Sequence, residues 1–128
     1  MNNSSKRIPR ISESEWEVMK VVWGRGPVSA NQIIEVLKEG EADWHPKTVK
    51  AFLNRLVKKK AVGFTVEGRA YLYHALVQQG ECAEAASASF LERVFGGSLK
   101  PMLAHFVARK RLSPEEIEEL KKLLDKQE

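Results

Sequence analysis

Three helix starts in this chain share one pattern, a serine followed three residues on by glutamate or glutamine and then by an apolar residue. The serine hydroxyl accepts a free backbone N–H of the new helix, and the Glu or Gln side chain accepts the serine's own N–H in return. Ser12 with Glu15, Ser29 with Gln32 and Ser113 with Glu116 have this spacing. Ile11 with Trp16 and Val28 with Ile33 add an apolar pair across the first two caps. Pro114 takes the first position of the last of these helices, where its missing N–H costs nothing.

From these starts the apolar period predicts a helix over about Glu13 to Trp23, with Trp16, Val18, Met19, Val22 and Trp23 inward and Gly24-Arg25-Gly26-Pro27 ending it. A second covers about Ala30 to Lys38, anchored by Ile33, Ile34 and Leu37. His45-Pro46 opens a third, closing near Lys60. Its apolar residues Val49, Phe52, Leu53, Leu56 and Val57 recur at helical spacing, and Lys47, Lys50, Ala51, Asn54, Arg55 and Lys58 lie opposite. A charged strip of this kind is usually only a solvated face, but solvated faces mix signs. Here seven cations meet one anion, Glu67, between residues 45 and 75. The strip suits phosphates and base edges.

Three short helices with tight breaks suggest a helix-turn-helix whose third helix is the reader. Behind it the period changes. Val62-Gly63-Phe64-Thr65-Val66 and Ala70-Tyr71-Leu72-Tyr73-His74 flank Glu67-Gly68-Arg69, which reads as a hairpin, the wing of a winged helix. Arg69 at its tip is placed for a backbone phosphate or the minor groove. Tyr71 and Tyr73 share a face and are expected to pack on the third helix rather than stack on bases.

From Gln78 the chain is helical again: Ala83, Ala86, Phe90, Leu91 and Val94 trace a stripe that stops at Gly96-Gly97. Leu99, Met102, Leu103 and Phe106 line a further helix, and Ile117, Leu120, Leu123 and Leu124 the last. Some fifty residues cannot bury these faces within themselves. Either the helices fold back on the hairpin, or a second copy covers them. The two-fold solution is favoured, because two reading heads also double the phosphate contacts. Its face comprises Phe90, Val94, Leu99, Leu103, Phe106, Ile117, Leu120 and Leu124. Charge divides the same way, +5 over residues 1–77 and −1 over 78–128. The expected chain is mainly α: a flexible N-terminal arm (1–10), a winged helix-turn-helix DNA-binding domain (11–77) and a helical dimerisation domain (78–128).

Other classes are disfavoured. No apolar run approaches the roughly 20 residues of a membrane span, and the first residues lack the apolar stretch of a signal peptide, so cytoplasmic residence without membrane insertion is expected. Cys82 cannot form an internal disulfide and suits a small core position; His45, His74 and His105 have no metal-binding companions, and no cofactor is expected. A Gly-rich phosphate loop, paired carboxylates in an apolar setting and a nucleophile with a base are all missing, so no catalytic residues are assigned. The strongest rival is a winged-helix adaptor that binds protein rather than DNA. An adaptor has no need of an acid-free basic face.

The run Ile11-Ser12-Glu13-Ser14-Glu15-Trp16-Glu17-Val18-Met19, then Trp23, then Trp44-His45-Pro46-Lys47-Thr48-Val49, resembles the start of the penicillinase-repressor family, the BlaI/MecI type. The likeness continues through Asn54-Arg55-Leu56, Tyr71-Leu72-Tyr73, Gly96-Gly97, Phe106-Val107 and Leu112-Ser113-Pro114-Glu115-Glu116-Ile117-Glu118-Glu119-Leu120. It implies a bacterial repressor that binds, as a homodimer, a double-stranded operator dyad with TACA/TGTA-like half-sites. By position, it places Lys47 and Thr48 at the bases, with Lys50 and Arg55 as accompanying basic residues suited to phosphates. At Ala51 the family often carries a hydroxyl residue; the methyl is suited instead to a thymine methyl. The resemblance also implies a regulatory protease or sensor responding to β-lactam, cutting at an Asn-Phe bond in the C-terminal domain. The aligned pair here is His105-Phe106. The Cys-x-Cys motifs of the copper-responsive branch are absent from the end of this chain.

Overall fold

The structure, a computed structural model, describes residues 8–40 and 42–126. Most of the arm expected over residues 1–10 lies outside them. All three caps form as the serine spacing dictates. Ser12 Oγ accepts Glu15 N–H at 3.2 Å while Glu15 Oε1 accepts Ser12 N–H at 2.9 Å, and Ser29 with Gln32 repeats both distances. Ser113 and Glu116 close the third box at 3.0 and 2.9 Å. The helices they start are α1 (Glu13–Arg25), α2 (Ala30–Glu39) and, at the far end, α6 (Pro114–Asp125). The first of these runs on through Gly24 and Arg25. Its stop is Gly26, whose φ of 71° ends the helical path while its N–H still reaches Val22 O.

Helix α3 (Pro46–Lys58) is capped differently: His45 Nδ1 accepts Lys47 N–H at 3.1 Å, which places the neutral ring's proton on Nε2. At its far end Lys60 adopts φ 66°. There Lys60 N–H bonds Val57 O and Ala61 N–H bonds Leu56 O, both at 3.0 Å. This paired closure turns the chain directly into β1 (Val62–Glu67). Strand β2 (Ala70–Ala75) returns antiparallel, from Glu67↔Ala70 to Val62↔Ala75, leaving Gly68 and Arg69 as a two-residue turn. Gly68, with φ 63°, occupies the first central position, where a II′-type hairpin takes glycine.

Val28, between α1 and α2, exchanges two backbone hydrogen bonds with Tyr73, at 2.7 and 3.0 Å. That pairing holds β2 chiefly against α1 and α2, and it is β1 that adjoins α3. The expected packing of Tyr71 and Tyr73 on the third helix is therefore corrected. Tyr71 stays half-exposed and stacks on Phe64 across the hairpin, ring centroids 4.9 Å apart and 13° from parallel, with Tyr73 tilted against the same ring.

The core follows the predicted stripes. Val18, Met19 and Val22 of α1, Ile33 and Leu37 of α2, and Val49, Leu53 and Leu56 of α3 are buried together, joined by Val28, Ala61 and Val62. Trp16 and Trp23 sit at its margin with rings 5.4 Å apart, and Trp23 Nε1 donates to Val77 O at 2.9 Å. The chain divides into two compact units, meeting between Ala86 and Ser87. The first continues past Val77 because Cys82, on the opening turn of α4 (Gln79–Phe95), is buried in the same core. In the second unit, α5 (Leu99–Ala108) and α6 bury no residue at all.

Candidate nucleic-acid interface

Because Val49, Leu53 and Leu56 face the core, the other side of α3 must face solvent. Lys47, Thr48, Lys50, Ala51, Asn54, Arg55 and Lys58 are all exposed there. The helix entry is braced by Trp44, whose ring meets Phe52 edge-on at 5.2 Å. Arg69 is exposed in the turn of the wing, within the same compact unit. These are the eight positions read from the sequence as a DNA-contacting set. The fold gathers seven on one helical face and puts the eighth at the tip of the hairpin.

One charged residue close to this face escaped the sequence reading. Glu15, the reciprocal partner in the first cap, is only 1% exposed and is the one buried charged side chain among the described residues. Its Oε1 accepts Lys59 Nζ at 2.5 Å, and its Oε2 lies 3.3 Å from Arg55 Nε. Burial pushes this carboxyl up, but the hydrogen bond and charge of Lys59, with the bonds to Ser12, outweigh it and hold the group below its usual value. Lys59 Nζ also donates to Arg10 O at 2.7 Å, and the Arg55 guanidinium lies 4.9 Å from the centre of the Phe52 ring. The strip is acid-free along α3, yet an acid from α1 lies under its C-terminal end. A signal was available: Glu15 is spaced i, i+3, i+4, i+7 with Val18, Met19 and Val22, so it shares their inward stripe.

The residues expected to pair two subunits are apolar and open to solvent in the single chain. Phe90, Val94, Leu99, Phe106 and Leu124 are exposed, and Leu103, Ile117 and Leu120 are half-buried. His105 and Phe106 lie inside α5, both exposed. Their carbonyls accept Arg109 N–H at 3.1 Å and Arg111 N–H at 2.9 Å, so the bond joining them is part of a hydrogen-bonded helix end. Among the described residues no group of His, Cys, Asp and Glu could hold a metal ion, and no helix is long and apolar enough to cross a membrane.

Comparison with known proteins places this geometry. Residues 11–126 match the profile of the family described as penicillinase repressor. The penicillinase repressor of Bacillus licheniformis is 39% identical over 120 residues, covering 94% of this chain and 93% of the relative. The methicillin resistance regulatory protein MecI of Staphylococcus aureus (strain N315) is 35% identical over 116 residues, covering 91% and 94%. Among solved structures, the monomeric form of BlaI from Bacillus licheniformis in complex with the blaP half-operator is 37% identical. It covers 59% of this chain and 90% of that one, with a TM-score of 0.51. A winged helix of this sequence, matched along nearly its whole length, belongs to the penicillinase repressor family.

Proposed function

We propose that the protein is a dimeric bacterial transcriptional repressor whose α3 enters the major groove of a palindromic operator with TACA/TGTA-like half-sites. The observation that carries this reading is the exposed face of α3, where Lys47, Lys50, Arg55 and Lys58 stand with Thr48 and Asn54 and no acid on the helix itself. Backbone phosphates draw such a face to any duplex, and the side chains at the helix start choose among base edges. Lys47, Thr48 and Ala51 take the base-reading role; Lys50, Asn54, Arg55, Lys58 and, from the wing, Arg69 take phosphates. Support comes from the relatives, named as repressors of penicillinase and regulators of methicillin resistance, and from BlaI, solved on a half-operator.

The role is regulatory rather than enzymatic, and cytoplasmic. The apolar faces of α4, α5 and α6 pair two copies, so that two reading heads follow one dyad. Release by proteolysis at His105-Phe106, in response to a β-lactam or cell-wall signal, requires the end of α5 to unwind first, since a protease needs an extended strand. Footprinting on the DNA upstream of the protein's own gene tests the reading. Two equivalent protected half-sites, centred about one or two helical turns apart, are expected. Protection of a single half-site, or of none, contradicts it.

A further inference from the structure

We propose that Glu15 is a positioning residue for DNA recognition: it governs how Arg55 and Lys59 are shared with phosphate, and thereby the preference for operator over random duplex. This rests on the DNA-binding reading above. The three capping boxes provide an internal control. Gln32 caps α2 with the same two distances that Glu15 shows at α1, so the cap needs no charge at this position. Gln32 and Glu116 are exposed, whereas Glu15 is buried and meets two cations from the C-terminal end of α3. What distinguishes Glu15 from Gln32 is its negative charge, and what distinguishes it from Glu116 is that the charge is buried against two cations.

The geometry says what the charge does. Arg55 is held through Nε at 3.3 Å while its side chain remains 56% exposed, and a guanidinium has five N–H donors, so one edge is fixed and others stay available to a phosphate. Lys59, 33% exposed, is anchored to the same carboxylate and to Arg10 O. One buried anion thus offsets part of the pull that two adjacent cations exert on any duplex, and it sets the direction in which Arg55 is presented. Unheld, both would follow phosphates wherever they occur, which adds affinity without sequence information.

The test is Glu15→Gln in the full chain, titrated with operator and with shuffled duplex over a range of salt. Because glutamine caps α2, the variant is expected to keep its helical spectrum and a cooperative melt. Random-duplex affinity should rise several-fold, and its dependence of log K on log salt should steepen by about 1, the increment of one further phosphate contact. Operator affinity should gain less, so that discrimination falls. Adding Arg55→Gln to this variant should return the random-duplex slope to that of the parent. Arg55→Gln alone, an exposed change that leaves the cap intact, serves if Glu15→Gln fails to fold: because Glu15 fixes the direction of Arg55, unlike that of Lys58 or Arg69, its phosphate contact belongs to the operator register, and its loss should weaken operator binding more than random binding. An unchanged ratio and slope in Glu15→Gln, or equal losses on both duplexes in Arg55→Gln, would overturn the role of Glu15 alone. A parent chain that binds neither duplex would remove the DNA reading with it.

Discussion

A carboxylate at the third position of a helix ordinarily does one job, and in α1 it does two. Glu15 caps the helix and also grips Lys59 and Arg55 from below. The capping pattern was plain in the sequence. The ion pairs were not, because they join residues forty or more positions apart, and only the packing of α1 on α3 brings them together. Acid stability should report the pairing. Since the folded carboxyl ionises more readily than the unfolded one, the folded state binds fewer protons. The stabilisation is therefore complete above about 4.5 and is lost as pH falls through the lower, folded value. Urea unfolding between pH 6 and 3 should show the parent losing more stability than Glu15→Gln; parallel profiles would contradict the pairing. In the core, Leu53 is 1% exposed, and Leu53→Ala should cost about 2–5 kcal/mol in the same measurement.

Elements were more legible than the way they pack. The starts of α1, α2 and α6 followed from serines, and the two-sided period of α3 separated Val49, Leu53 and Leu56 from the exposed strip as expected. The hairpin was equally clear from its β-branched and aromatic residues. Its partner was not: the tyrosine strand lies by α1 and α2 because Val28 pairs with Tyr73, and an isolated bridge between distant segments leaves no periodic trace. Lys60 gives a local test. It holds the left-handed position that closes α3, where glycine has no Cβ to clash, so Lys60→Gly should leave stability unchanged or raise it by up to about 1 kcal/mol. Thermal melting checks this, and a clear loss would show that the lysine side chain makes a needed contact. For the wing, Arg69→Ala should weaken operator and shuffled duplex to a similar extent, as a phosphate contact does, when both are followed by anisotropy. A loss confined to the operator would instead make Arg69 a base reader.

At the scale of the molecule, a sequence can show that α4, α5 and α6 have apolar faces but not what covers them. Composition and charge changed near residue 78, yet the first core extends to Cys82, since a small thiol on the opening turn of a helix can pack inward without altering either. A fragment ending at Ala86 should therefore fold more stably than one ending at Val77, and both should sediment as monomers. Leu103→Glu in the full chain should shift sedimentation toward monomer and weaken operator binding at least tenfold, because one reading head has half the contacts. Unchanged dimerisation would place the subunit contact elsewhere.

The central claim is that α3 reads bases at its start and holds phosphates further along. The most direct measurement compares Lys47→Ala with Lys58→Ala by titrating operator and shuffled duplex at several salt concentrations. Lys47→Ala should lower the operator preference by about 1–3 kcal/mol, whereas Lys58→Ala should weaken both duplexes alike and reduce the salt slope by about 1. Equal loss of preference in the two variants, or none in either, would contradict the assignment of α3 as the reading helix.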